Sequence, residues 1–235
     1  MLDALGFLTV AGRSRPPTRR VLVWFGPAGA LIGAALGLLW WGAANVWPAP
    51  VAAAIVMAAD LGITGLLHID GLADSADGLL PHLDRERRLA VMATPDVGAF
   101  GVAVVAAVLL LRFAALASTD PDGWKAIAFL AATWCAARAA MAVTMSTVRY
   151  ARDTGLASSF LGAPAAVPIA AAVPFLALAA ARGVGGVVAI VAGIGAGALV
   201  VAFAARRLGG FTGDVLGAAG VITETVALVV MSARW

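Results

Sequence analysis

Between Val21 and Met231 the sequence returns repeatedly to apolar runs of the length that carries a helix across a bilayer. Such a helix needs roughly 20 mostly apolar residues, and it satisfies its backbone polar groups internally where no water can. The runs cover about 21–44, 50–67, 99–117, 124–146, 165–181, 184–204 and 215–231. Only 12% of the chain is charged, whereas a soluble domain carries about a quarter. The pattern predicts an all-α polytopic membrane protein, residues 1–235 forming one integral membrane domain with about seven transmembrane helices in a bundle. Residues 2–10 suit a helix on the membrane surface. The polar start, 1–20, lacks the apolar core of a cleavable signal. The single cysteine, Cys135, sits inside an apolar run, which excludes a disulfide framework and a cysteine metal site. Basic residues gather in the connections rather than among aromatics, so nucleic acid is not an expected partner; the lipid bilayer is. Nothing in the sequence sets the oligomeric state, and a homo-oligomer is compatible with it.

Against this background the stretch His68-Ile69-Asp70-Gly71-Leu72-Ala73-Asp74-Ser75-Ala76-Asp77-Gly78 stands out. On a helix Asp70, Asp74 and Asp77 fall at i, i+4 and i+7 and share a face. Three like charges on one face repel, so a cation is expected to hold them. Carboxylate oxygens suit Mg2+, which takes one or two of them and leaves room for water and substrate phosphate. The plain alternative is a solvated helix end. His68 falls away from the carboxylate face and reads as a hydrogen-bonded structural histidine.

The positive-inside rule orients the chain. With seven spans and the N-terminus in the cytoplasm, eleven basic residues fall on the cytoplasmic side: Arg13, Arg15, Arg19, Arg20, Arg85, Arg87, Arg88, Arg149, Arg152, Arg206 and Arg207. Lys125, Arg182 and Arg234 fall opposite. The same assignment brings Asp70, Asp74, Asp77, Asp96, Asp153 and Asp214 to the cytoplasmic face. Carboxylates for a metal beside arginines, whose planar forks match phosphate oxygens, describe a phosphate or diphosphate site. Glycines around Asp214, among them Gly213, let backbone approach phosphate closely. Within the spans, Glu224 and Asp60 either act or are paired. Arg138 either reaches a diphosphate or pairs with one of those two acids. Arg149 and Arg152 either clamp phosphate or only mark topology.

Asp74-Ser75-Ala76-Asp77-Gly78 has the D-x-x-D-G form of CDP-alcohol phosphotransferases, but Pro81-His82 breaks the rest of that pattern and its later aspartates are missing. Other blocks agree with one another. They are Phe25-Gly26-Pro27-Ala28-Gly29, Thr64 through Gly78, Arg85-Glu86-Arg87-Arg88-Leu89 with Met92, Gly98-Ala99-Phe100-Gly101, Tyr150-Ala151-Arg152 with Gly155-Leu156, and Gly209 through Ala219 with Glu224. Together they resemble the cobalamin synthase family, the adenosylcobinamide-GDP ribazoletransferases. One departure is Thr94 where that family usually has an acid, with Asp96 two residues later.

The resemblance implies a magnesium-dependent transferase of late cobalamin biosynthesis in a bacterial inner membrane. It would join adenosylcobinamide-GDP to α-ribazole or its 5′-phosphate and release GMP. It implies Asp70, Asp74, Asp77 and Asp214 as catalytic, the first three as metal ligands. Arg138, Arg149, Arg152, Glu224 and Gly213 are expected to bind substrate. The rival of another class is a cation-coupled transporter with Asp60, Arg138 and Glu224 along its pathway.

Overall fold

The computed structural model describes residues 1–10, 12, 19–152 and 164–233. Asp153, Gly155, Leu156, Arg13, Arg15 and Arg234, named above, lie outside them. The described residues form helices and turns, with no strand beyond one isolated backbone bridge. Helix α1 spans Leu2–Leu8 and a 3₁₀ turn Arg19–Trp24. Then come α2 (Phe25–Ala44), α3 (Ala49–Thr64), α4 (Leu67–Leu79), α5 (Arg85–Val91), α6 (Ala99–Ser118), α7 (Gly123–Thr147), α8 (Ala166–Leu176), a 3₁₀ turn Ala177–Arg182, α9 (Gly183–Leu208) and α10 (Gly213–Met231).

Five helical stretches are long and apolar enough to cross a membrane, six if the bent pair α3–α4 is counted. The expected seven is not reached by this count. Ala166–Leu208 counts as a single 43-residue stretch, and α3 alone has 16 residues. That long stretch is interrupted at Gly183, whose φ is +66°. There Arg182 Nη2 donates to the Asp120 carbonyl at 2.8 Å.

Helix α7 is the axis of the bundle, and α2 lies along it in intimate contact. The glycine stripe of α2 makes this approach possible. A methyl group on Gly29, Gly33 or Gly37 would collide with α7 backbone at Trp134, Leu130 or Ile127. Small residues at such seams are how membrane helices gain packing contacts when lipid is as apolar as the helix surface. Large apolar side chains on the outer helices, such as Leu110, Val191 and Leu199, stay exposed, as lipid-facing positions should.

The α3–α4 junction positions the acidic stretch. Gly65 and Leu66 both adopt left-handed backbone, φ +58° and +62°, and the chain turns by 88°. As a result α4 does not continue the line of α3. It lies along one face, across the N-terminal ends of α10 and α6. His68 and Gly71 meet Asp214 and Gly217 of α10, and Ala73 and Asp77 meet the start of α6. Gly71 is needed at this crossing, because a methyl there would sit 2.7 Å from the Asp214 carbonyl oxygen. The turn itself yields a prediction. Gly65→Ala puts a side chain in left-handed backbone and within 2.5 Å of Val10 Cγ1. It should lower stability by about 1–3 kcal/mol, seen as a lower thermal midpoint in detergent.

Candidate active site

Three further segments join α4 at that face. Tyr150 and Phe211 form a parallel bridge: Phe211 N donates to the Arg149 carbonyl at 2.9 Å, and Ala151 N to the Phe211 carbonyl at 2.8 Å. The bridge ties the end of α7 to the loop that enters α10. Arg85 fastens the pair, its Nε donating to the Leu208 carbonyl at 2.7 Å and its Nη2 to the Ala151 carbonyl at 2.9 Å. At the far end of α4, Arg88 Nη1 donates to the Gly78 and Leu79 carbonyls, and Arg207 Nη1 to Leu79 as well. These cations satisfy carbonyls that a helix C-terminus leaves unpaired and suit its partial negative charge. Arg85, Arg88 and Arg207 look like topology markers in sequence; the fold also uses Arg88 and Arg207 to fix α4 and Arg85 to fix the bridge.

The carboxylates of α4 differ in setting. Asp70 is exposed, Asp74 half-buried and Asp77 buried. Asp77 accepts the Gly98 N–H at 2.7 Å and the Gly101 N–H at 2.9 Å. Both its oxygens are thus committed to the N-terminus of α6, where unpaired N–H groups favour an anion. Any side chain at Gly98 or Gly101 would strike this carboxylate, which explains the Gly-x-x-Gly spacing. Asp77, expected as a metal ligand from its position on the helix, is thus anchored to the start of α6.

Asp214 reaches the site from the first turn of α10. Thr212 caps that helix through Val215 N, and its hydroxyl also donates to Asp214 Oδ2 at 3.2 Å. Arg152 Nη2 bridges Asp214 Oδ2 and the Met92 carbonyl, each at 3.2 Å. Among the predicted residues the structure therefore gathers Asp70, Asp74, Asp214 and Arg152. Asp74 records the crowding: its carboxyl is pushed up to about 6, first by burial, then by Asp214, Asp70 and Asp77, with Arg152 opposing. Gly213 is exposed with open space around it, and Arg149 is exposed while its carbonyl pairs with Phe211. Asp96 is exposed in the loop before α6.

Arg138 and Glu224 are placed elsewhere. Both are buried in the bundle, where Glu224 accepts from Arg138 Nη1 and from Arg112 Nη2. Arg112 also pairs with Asp60 at 3.2 Å, and Trp134 Nε1 donates to Asp60 at 3.0 Å. Two acids and two guanidiniums neutralise one another across α3, α6, α7 and α10. Of the two readings open for Arg138 and Glu224, binding substrate or pairing in the bundle, the fold displays the pairing. The cavity beside the network is lined by Asp60, Arg112 and Trp134 together with apolar side chains. Sequence reading left Arg112 unassigned; its place in an apolar run is the signal that it needs a buried acid.

A family profile described as cobalamin-5-phosphate synthase matches residues 1–232. The chain belongs to that family. Among its curated relatives, the adenosylcobinamide-GDP ribazoletransferase of Bradyrhizobium diazoefficiens is 38% identical over 98% of this chain and 92% of its own. Proteins of the same name from Leptothrix cholodnii and Pseudomonas aeruginosa are 37% and 36% identical, over 85% and 86% of this chain and 79% and 84% of theirs. No solved structure matches. Family membership agrees with the site's composition. Every block quoted above for the resemblance, where it falls in described residues, either lines the acidic face or fixes the helices that form it, save the α2 block, which packs on α7, and Glu224, which sits in the buried network.

Among the described residues no three His, Cys, Asp or Glu side chains enclose a metal ion unaided. Asp70, Asp74 and Asp214 nevertheless supply hard oxygen donors with more negative charge than Arg152 offsets. Mg2+ is commonly held through one or two carboxylates together with substrate phosphates rather than by a closed cage.

Proposed function

We infer that the chain is an adenosylcobinamide-GDP ribazoletransferase, joining that substrate to α-ribazole or its 5′-phosphate and releasing GMP. Its acidic face would lie in the cytoplasm of a bacterium whose inner membrane holds the bundle. The observation that carries the reading is the meeting of Asp70, Asp74, Asp214 and Arg152 at one membrane face in a chain matched to this family along nearly its whole length. CDP-alcohol chemistry has only the short motif in its favour, and the acids and arginines of the transporter reading are paired with one another in the bundle.

In the transfer, a ribazole hydroxyl oxygen bonds to the cobinamide-linked phosphorus. The bridging P–O bond breaks, and GMP departs with its electron pair. The hydroxyl proton passes to a carboxylate of the site and on to water. Arg152 is placed to orient a phosphate by its fork, and Gly213 leaves room for one at the start of α10. Asp70, Asp74 and Asp214 would hold Mg2+, which when bound would offset the charge developing on the phosphates. Positioning and charge compensation are most of what such a transfer requires of a protein.

Product analysis tests the function. Purified protein with magnesium and both substrates should yield GMP and the ribazole-bearing corrinoid in equal amounts. Hydrolysis of adenosylcobinamide-GDP without ribazole incorporation would count against it. Orientation is tested by labelling single cysteines in a Cys135→Ser background. Residues near Arg87 should react only from the cytoplasmic side and those near Asp122 only from the other; labelling of both from one side would refute the arrangement.

A further inference from the structure

Beside the acidic face is a cavity of about 160 Å3 between α1, α2, α4, α7 and α10. Its walls are chiefly apolar, from Phe7, Phe25, Met141 and Met145. Phe7 stacks on Phe25 with ring centroids 5.8 Å apart, and Val10 N donates to the Ile63 carbonyl at 2.9 Å, which holds α1 in place over the bundle. Asp70 and Asp214 line the same cavity. So does His68, which is 7% exposed and whose buried Nδ1 has no hydrogen-bond partner. The hydrogen-bonded structural histidine expected from the sequence is therefore not what the fold provides. A buried ring nitrogen without a partner is a cost that a folded protein rarely carries without use.

We propose that this cavity receives the aromatic base of the ribazole, with His68 hydrogen-bonding a polar ring atom of the base and the ribose directed toward Asp70 and Asp214. The proposal rests on the function inferred above and names the subsite for one of its two substrates. Three observations select the occupant. The cavity is well below the roughly 300–1,000 Å3 that encloses a drug-sized ligand, so it takes one ring system and not a nucleotide or a corrin. Its walls combine aromatic rings and methionine sulfurs, which favour a flat aromatic guest. Its continuity with Asp70 and Asp214 places a sugar attached to that guest at the carboxylates, where the attacking hydroxyl must lose its proton.

The test measures ribazole binding apart from turnover. Calorimetry with the full-length protein in detergent, using α-ribazole alone without adenosylcobinamide-GDP or magnesium, should detect binding to the unmodified chain. His68→Phe keeps the ring shape and removes the nitrogen. It should weaken ribazole binding about tenfold, one neutral hydrogen bond's worth, with thermal stability unchanged or raised. Met145→Trp fills the cavity and should raise the KM for ribazole tenfold or more while leaving the KM for adenosylcobinamide-GDP near that of the unmodified chain. If Met145→Trp does not fold, His68→Phe carries the test. Unchanged ribazole affinity in His68→Phe, or equal shifts of both KM values in Met145→Trp, overturns the subsite while ribazole-dependent GMP release keeps the function standing. An unmodified chain that neither binds ribazole nor releases GMP overturns both.

Discussion

Asp74→Asn and Asp214→Asn are each expected to cut turnover by about 100-fold or more while the protein inserts and purifies normally. The dissociation of the two effects follows from the electrostatics. Asp74 stands among Asp70, Asp77 and Asp214, and these neighbours together with burial already penalise its charge. Neutralising it relieves repulsion, so folding loses nothing. Asp214→Asn gives up an ion pair with Arg152 that is partly exposed on both sides, and such pairs contribute only about 0–1 kcal/mol. Activity has no such cushion, because these carboxylates would hold magnesium and receive the proton. Magnesium affinity, read by titration calorimetry, should fall in both variants. Asp77→Asn is expected to behave differently. It loses one of two charge-assisted bonds to the start of α6, so its thermal midpoint should fall together with its activity. Near-normal turnover of Asp74→Asn at limiting magnesium would show that the site is misassigned.

The largest loss of stability is expected from Glu224→Gln. Among the described residues Glu224 alone pairs with both Arg138 and Arg112. Its removal leaves two guanidiniums deep in the bundle with Asp60 alone to offset them. Breaking a buried pair by deleting one partner costs about 3–5 kcal/mol. Thermal unfolding and the yield of folded protein should both drop sharply. Whatever Glu224→Gln protein folds should keep its ribazole and adenosylcobinamide-GDP affinities. A variant that unfolds at the temperature of the unmodified chain but loses substrate affinity would return Glu224 to the substrate-binding set.

The membrane class and the helices were legible in the sequence because span length and apolarity are local properties. Asp70, Asp74 and Asp214, which the sequence reading singled out, come together in the fold. The role of Asp77 was not visible. Helical spacing puts it with Asp70 and Asp74, and only the 88° turn at Gly65-Leu66 brings it onto the first turn of α6. The partners of Arg138 and Glu224 lie 86 residues apart, a pairing that periodicity within a helix cannot select. Arg85, Arg88 and Arg207 obey the positive-inside pattern whether or not they cap a helix, so their structural use is hidden behind a topological one.

Order of addition tests the central claim most directly. Protein at a concentration comparable to substrate is mixed with magnesium and adenosylcobinamide-GDP, sampled, and then given α-ribazole. Direct displacement at the acidic face predicts no GMP and no mass adduct in the first stage, because a covalent route needs a nucleophile with an activating partner and Cys135 is buried within α7 away from that face. GMP and the ribazole-bearing corrinoid should then appear together once ribazole is added. A burst of about one GMP per protein before ribazole, with a matching adduct on the chain, would contradict direct transfer, and no GMP in either stage would contradict the function itself.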